Sequence, residues 1–351
     1  MKKDEWIAYL LIWTVLLGLS VLFFCTVGFG LLVQNEKNEK TVSVEDDFLS
    51  EQLLQENEDQ MIKMVEQEAE SAKASEYTDS PENIGNTESE TKAVFSDAVN
   101  EIQTAGNLLS SYFIVDPNTT LLESDVPLDI LMNMDVRVDR DRSEPQILIY
   151  HTHATEGYVD SIDGDVSTTV VGVGDYLHEL LTTRYGYHVL HITDSFDLAE
   201  GYLDRSRAYN HAREGIQKVL EQYPSIEVVI DVHRDGVAED RHLLTQVNGK
   251  PTAQIMFFNG LSRTNEDGEL ESLPNQYIQE NLAFSLQLEV LGNHYYPDYV
   301  RGVYVKGYRY NLHFRPKSLL LEVGAQTNTL QEALNAMEPF AEILDKLLKG
   351  A

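Results

Sequence analysis

Three short apolar runs that end in the same kinds of residue constrain this chain more than any other feature of its 351 residues. The first, Ile147–Tyr150, stops in His151, His153, Glu156 and Asp160. The second spans residues 226–233 and closes on His233, and the third, residues 318–323, carries Glu322 just before Gly324. Short, apolar, β-branched runs bounded by polar residues read as strands buried on both faces. Between them, apolar stripes predict helices over 168–185, 201–223 and 277–294 and a last one ending at 348, with Gly186 and Pro224 as stops. Asn248-Gly249, between runs 243–247 and 252–258, predicts a β-hairpin. Strands alternating with helices predict an α/β fold: a three-layer sandwich with a mostly parallel central sheet. Ligands of such sheets bind beyond the carboxyl ends of strands, where these His and Glu residues fall.

His153 and Glu156 form an H-x-x-E pair, one imidazole and one carboxylate from a single turn. With His233 they make a three-ligand set of the zinc type that leaves one position open for water. A lone H-x-x-E arises often by chance, and its plainest reading is a solvated strand end. The two further strands ending in His233 and Glu322 weigh against that. His151 competes with His153 as the ligand, since the two share a face if the strand continues. A glutamate in an apolar strand is expensive without a partner or a task. Glu322 is therefore expected to act as general base, taking a proton from the attacking water and returning it to the leaving amine. Arg315 is assigned to the catalytic set as an oxyanion-stabilising cation, and Arg234, Arg309 and Lys317 to substrate binding. Surface charge or pairing with nearby acids is the competing reading of all four.

Residues 6–35 carry no charge and are dominated by Leu, Ile, Val, Phe and Gly, long enough to span a bilayer. They predict a short tail and single transmembrane anchor over 1–35, uncleaved, with the rest of the chain outside the cytoplasm. Lysines flank both ends, so charge alone does not orient it. Residues 36–93 are rich in Glu, Asp, Gln and Ser and predict a flexible acidic linker. Residues 94–351 then form the hydrolase domain, opening with a helical pattern over 94–113. The formal net charge of −32 excludes a nucleic-acid partner, which would be repelled. The single cysteine, Cys25, excludes disulfides and cysteine-based zinc sites.

The segments ILIYHTHATEGYVDS, DVHRDG, MFFNGLSR and GYRYNLHFRPKSLLLEVGAQTNT, with the amino-terminal anchor, resemble those of the stage II sporulation protein P family. That resemblance implies a zinc-dependent N-acetylmuramoyl-L-alanine amidase of peptidoglycan, with endopeptidase activity on peptide cross-links. It implies a fold like zinc amidases and metallocarboxypeptidases, with Zn2+ as cofactor. It also implies an anchor in the mother-cell membrane, action in septal thinning and forespore engulfment, and stage II sporulation proteins D and M as partners. Zinc amidases take their ligand glutamate from the following helix, where this chain offers Ser167 and Thr168; the carboxylate ligand is therefore assigned to Glu156. A metallocarboxypeptidase acting on wall peptides and a non-catalytic wall-binding scaffold are the alternatives.

Overall fold

The computed structural model describes residues 88–105, 111–140, 143–199 and 202–350. The predicted anchor and nearly all of the predicted linker lie outside the described residues. Among those that are described, no helix is long and apolar enough to cross a membrane.

Seven strands build the central sheet: β1 (Phe113–Val115), β2 (Ile147–Tyr150), β3 (Val189–His191), β4 (Val228–Asp235), β5 (Ile255–Gly260), β6 (Val300–Lys306) and β7 (Lys317–Ala325). Their order is β1-β6-β5-β7-β4-β2-β3. Among the described residues, five of the six neighbouring pairs are parallel and one, β5 with β7, is antiparallel. The sheet is mostly parallel, as expected, and β2, β4 and β7 all end on one edge. Register places Glu322 of β7 beside His233 of β4.

Alternation along each strand assigns the two faces. Ile147, Ile149, Val228, Ile230, Val232, Leu319, Leu321 and Val323 share one core with the helices α1 (Glu88–Ala105), α3 (Val170–Glu179), α5 (Ile278–Tyr295) and α6 (Leu330–Lys349) and the short α2 (Leu128–Asn133). Leu148, Tyr150 and Val229 point the other way, onto Ala212, Ile216 and Leu220 of α4 (Ala208–Gln222). The three residues of α4 recur at helical spacing, so one stripe seals this face. Helices on both faces give the three layers.

Three local expectations change. The predicted hairpin has its Asn-Gly turn, with φ of 51° at Asn248 and 75° at Gly249. Its second arm divides at Gln254, however. Lys250–Ala253 pairs with Leu244–Val247, while the fully buried Ile255–Gly260 joins the central sheet. The helix expected from residue 201 starts at Ala208, because Leu198–Ala199 and Tyr202–Leu203 form a small ribbon and the buried stripe begins only at Ala208. Of the helical pattern over 94–113, residues 94–105 lie in α1 and residues 111–112 are helical, but Phe113 begins β1.

Candidate functional site

Asp231, His233 and Glu322 occupy the α4 face of the sheet at its carboxyl edge, since alternate residues of a strand share a face. After Tyr150 the chain leaves the ladder in a turn, and that turn carries His153 and Glu156 into the same place. The His153 and His233 rings stand 5.3 Å apart, edge to face. Tyr209, near the start of α4, flanks the group, 5.5 Å from the His153 ring and stacked at 6.5 Å on His233. Gly324, at φ 62°, lies within β7 just beyond Glu322, where the register with β4 shifts; a bulge there favours glycine and re-aims the neighbouring side chain.

His233 Nδ1 lies 3.3 Å from Glu156 Oε2. Its Nε2 lies 2.9 Å from Asp231 Oδ1, at an angle that does not make a hydrogen bond. Burial by itself would lower the His233 pKa, but the Asp231 and Glu156 carboxylates outweigh it and hold it well above the ordinary value. Burial likewise opposes ionisation of Glu156, yet His233 and Arg234 keep its pKa below the usual carboxylate range. Asp231 is fixed by Thr152, whose backbone N–H donates to Oδ1 at 2.8 Å and whose hydroxyl donates to Oδ2 at 2.6 Å. Burial pulls His153 down to about 4, so it stays neutral at pH 7. Glu322 is pushed up to about 8, first by burial and then by the Asp235 carboxylate. Part of its side chain meets solvent, while Oε2 is buried without a hydrogen-bond partner.

His151 does not join this group. Because β2 stops at Tyr150, His151 and His153 are not on one strand face. His151 Nδ1 lies 3.0 Å from the Val232 carbonyl and Nε2 lies 2.8 Å from His191 Nε2, so both of its nitrogens are engaged. Space for that pair comes from Gly174 of α3, where a Cβ would fall 2.7 Å from the His151 ring.

Of the four assigned cations, one touches the site directly. The Arg234 backbone N–H donates to Glu156 Oε2 at 3.2 Å, and its side chain donates to the Gly157 carbonyl at 3.1 Å. Arg234 thus braces the loop that carries Glu156. Arg309 donates to the Pro274 carbonyl at 3.2 Å, and the next residue, Tyr310, has its ring 5.5 Å from Tyr209. Arg315 and Lys317 sit at the opposite, amino-terminal end of β7, about 16 Å along the strand from Glu322. There Arg315 donates to the carbonyls of Ile226, Phe314 and Leu220, and Lys317 pairs with Glu227 at 3.0 Å. Their nearness to Glu322 in sequence is undone by the length of the strand, so neither is brought to the group around His153, Glu156 and His233.

Asp231 and Tyr209 escaped the sequence reading. Asp231 had a signal: it stands two residues before His233, hence on the same face. Tyr209 had none, lying within a charged amphipathic segment.

Among the described residues, no three His, Cys, Asp or Glu side chains already converge as a metal cage. Two observations nevertheless suit a zinc ion. His153 Nδ1 is buried without a hydrogen-bond partner. The 3.3 Å between His233 Nδ1 and Glu156 Oε2 also matches the edge of a tetrahedron, about 3.3 Å for zinc bonds of roughly 2.0–2.1 Å. Asp231 beside His233 is the carboxylate partner that metal-bound imidazoles commonly keep.

The chain was compared with known proteins. The family described as stage II sporulation protein P matches residues 28–345. Stage II sporulation protein P of Bacillus subtilis (strain 168) is 26% identical over 215 residues, covering 57% of this chain and 50% of that protein. The chain thus matches about half the length of that curated relative. Among solved structures, the CwlD amidase of Clostridioides difficile, in complex with the GerS lipoprotein, aligns with a TM-score of 0.37 at 16% identity, covering 58% of this chain and 95% of that one. The catalytic domain of CwlV, an N-acetylmuramoyl-L-alanine amidase of Bacillus (Paenibacillus) polymyxa var. colistinus, aligns at 0.34 and 14% identity, covering 59% and 99%.

Proposed function

The chain belongs to the stage II sporulation protein P family, and from that premise we propose that it is a zinc-dependent peptidoglycan hydrolase of sporulation. Its reaction is hydrolysis of the amide between N-acetylmuramic acid and L-alanine, with cleavage of peptide cross-links as a second activity. The observation that carries this reading is Glu322. A half-buried glutamate with a buried, unpartnered oxygen and a pKa lifted to about 8 stands in register beside His233. A group so placed exchanges protons near neutral pH, as a general base and then acid must.

In this reading His153, Glu156 and His233 hold Zn2+. The ion supplies Lewis acidity toward the scissile carbonyl and lowers the pKa of water. The remaining work falls to side chains of the chain itself. Asp231 holds the His233 ring, and Arg234 holds Glu156 through its backbone N–H. Glu322 takes the proton of the attacking water and passes it to the leaving amine. Tyr209 lines the wall on which the substrate rests and keeps bulk water from one side. The proposal extends to an anchor over residues 1–35 in the mother-cell membrane, an extracytoplasmic catalytic domain, action at the septum and engulfing membrane, and stage II sporulation proteins D and M as partners.

The test is digestion of purified peptidoglycan by the full chain in detergent, with products identified by mass spectrometry. Free stem peptides together with peptide-free glycan are expected, and muropeptides freed of their cross-links mark the second activity. Glycan recovered with all stem peptides attached would sink the amidase reading.

A further inference from the structure

The shielded arginines of this protein pair with a carboxylate or, like Arg234 and Arg315, spend several donors on backbone carbonyls. Arg301 meets Asp235 at 2.6 Å, and Arg263 meets Asp125 at 2.6 Å. Guanidinium groups stay charged under all ordinary conditions, and burial without an anion is costly. Arg309 is 8% exposed, yet among the described residues it faces no carboxylate and donates only to the Pro274 carbonyl, at 3.2 Å. Its neighbour is a second cation. Burial and then Arg213 depress the Arg309 pKa, while burial, Arg309 and Arg213 hold His313 down to about 4. Arg213, half-buried on α4, likewise has no ion pair among the described residues. Two adjacent guanidinium groups with no anion of their own repel one another. A fold keeps such a pair when something else supplies the negative charge.

The position of the pair says where that charge comes from. Arg213 lies four residues after Tyr209 on α4, so the two are neighbours on one helix face. Arg309 is followed by Tyr310. The Tyr209 ring stands 5.5 Å from His153 on one side and 5.5 Å from Tyr310 on the other. The elements that carry the two cations thus meet at Tyr209, which also borders the His153 site. We propose that Arg213 and Arg309 form a carboxylate subsite that grips a free acid group of the peptide substrate whose amide bond is cut at the His153–Glu156–His233 site. This rests on the reading of that site as a hydrolytic centre acting on a peptide-bearing polymer. Stem peptides carry free carboxylates, and a paired guanidinium fork takes one in a bidentate manner.

The experiment compares two soluble muropeptides, one with its stem carboxylates free and one with them amidated, on the full chain and on Arg213→Gln. Arg213 is the better probe because among the described residues it makes no hydrogen bond that its loss would break. Wild type is expected to favour the free acid by about ten- to hundredfold in kcat/KM. Arg213→Gln should erase that preference by raising KM for the free acid alone, and Arg213→Lys should restore part of it. Equal losses on both substrates, or a wild type indifferent to amidation, would overturn the subsite. Calorimetric titration of Glu322→Gln protein with the same two muropeptides reads the subsite without turnover. Discrimination there, absent when Arg213→Gln is added, upholds the subsite even if hydrolysis fails; equal affinities overturn it even if hydrolysis succeeds.

Discussion

Arg315, two residues before β7, and Glu322, near its carboxyl end, have opposite surroundings. At the amino end, Arg315 spends its donors on three backbone carbonyls, and Lys317 finds Glu227. Every charge there is answered by the fold, and the result ties the loop before β4 to the end of α4. At the carboxyl end, Glu322 Oε2 and His153 Nδ1 are buried and unanswered. Buried polar groups are nearly always paired, so each exception calls for a cause. Ionisable residues are thus fully engaged by the fold at one edge of the sheet and keep unanswered atoms at the other. What separates them is whether the protein completes their bonding.

Substitutions at the two ends should have opposite signatures, and the sharpest is at Glu322. Glu322→Gln is expected to lower hydrolysis by about 10²–10⁴-fold, the usual worth of a general base, with the melting temperature held or raised. A matching loss of stability would mean that Glu322 belongs with Arg315 as a structural group. Arg315→Ala should do the reverse. Losing its charge-assisted bonds costs about 2–4 kcal/mol of stability, read by denaturant unfolding, while the folded fraction keeps its kcat. Gly174→Ala is a smaller probe of the His151 side. A Cβ 2.7 Å from the His151 ring should cost about 1–3 kcal/mol as overpacking and leave hydrolysis intact in the folded fraction.

The smallest effect expected is on the pH dependence of stability. The Glu322 pKa is raised to about 8 in the folded, metal-free protein. Between the ordinary carboxylate range and pH 8 the folded state therefore binds more protons than the unfolded state, and this group's contribution falls as pH rises through that window. Melting of chelator-treated protein followed from pH 5 to pH 8 should slope downward in wild type and less so in Glu322→Gln. Parallel slopes would place Glu322 in a solvated environment.

Much of the fold was legible because period-2 burial writes itself plainly into sequence. Ile147–Tyr150 occurs as expected, and the strands around His233 and Glu322 extend by only two or three residues at their ends. β6 was missed: its VRGVYVK carries Arg301 and Gly302, and Gly302 at φ 137° breaks the ladder. At the site, the strand-end residues His153, His233 and Glu322 were legible from the apolar runs that precede them. His151 was not separable from His153, because the point where a strand leaves its sheet is a tertiary fact. Here Gly174 and His191 on neighbouring elements decide it. Arg315 and Lys317 illustrate the opposite error, proximity in sequence taken for proximity in space.

The central claim is that the unanswered donors at the carboxyl edge hold a metal ion while the answered histidine beside them does not. Zinc titration by calorimetry of wild type, His153→Ala and His151→Ala tests it directly. One zinc per wild-type chain is predicted, with binding lost in His153→Ala and retained in folded His151→Ala. Zinc binding that survives His153→Ala but disappears in folded His151→Ala would contradict the account.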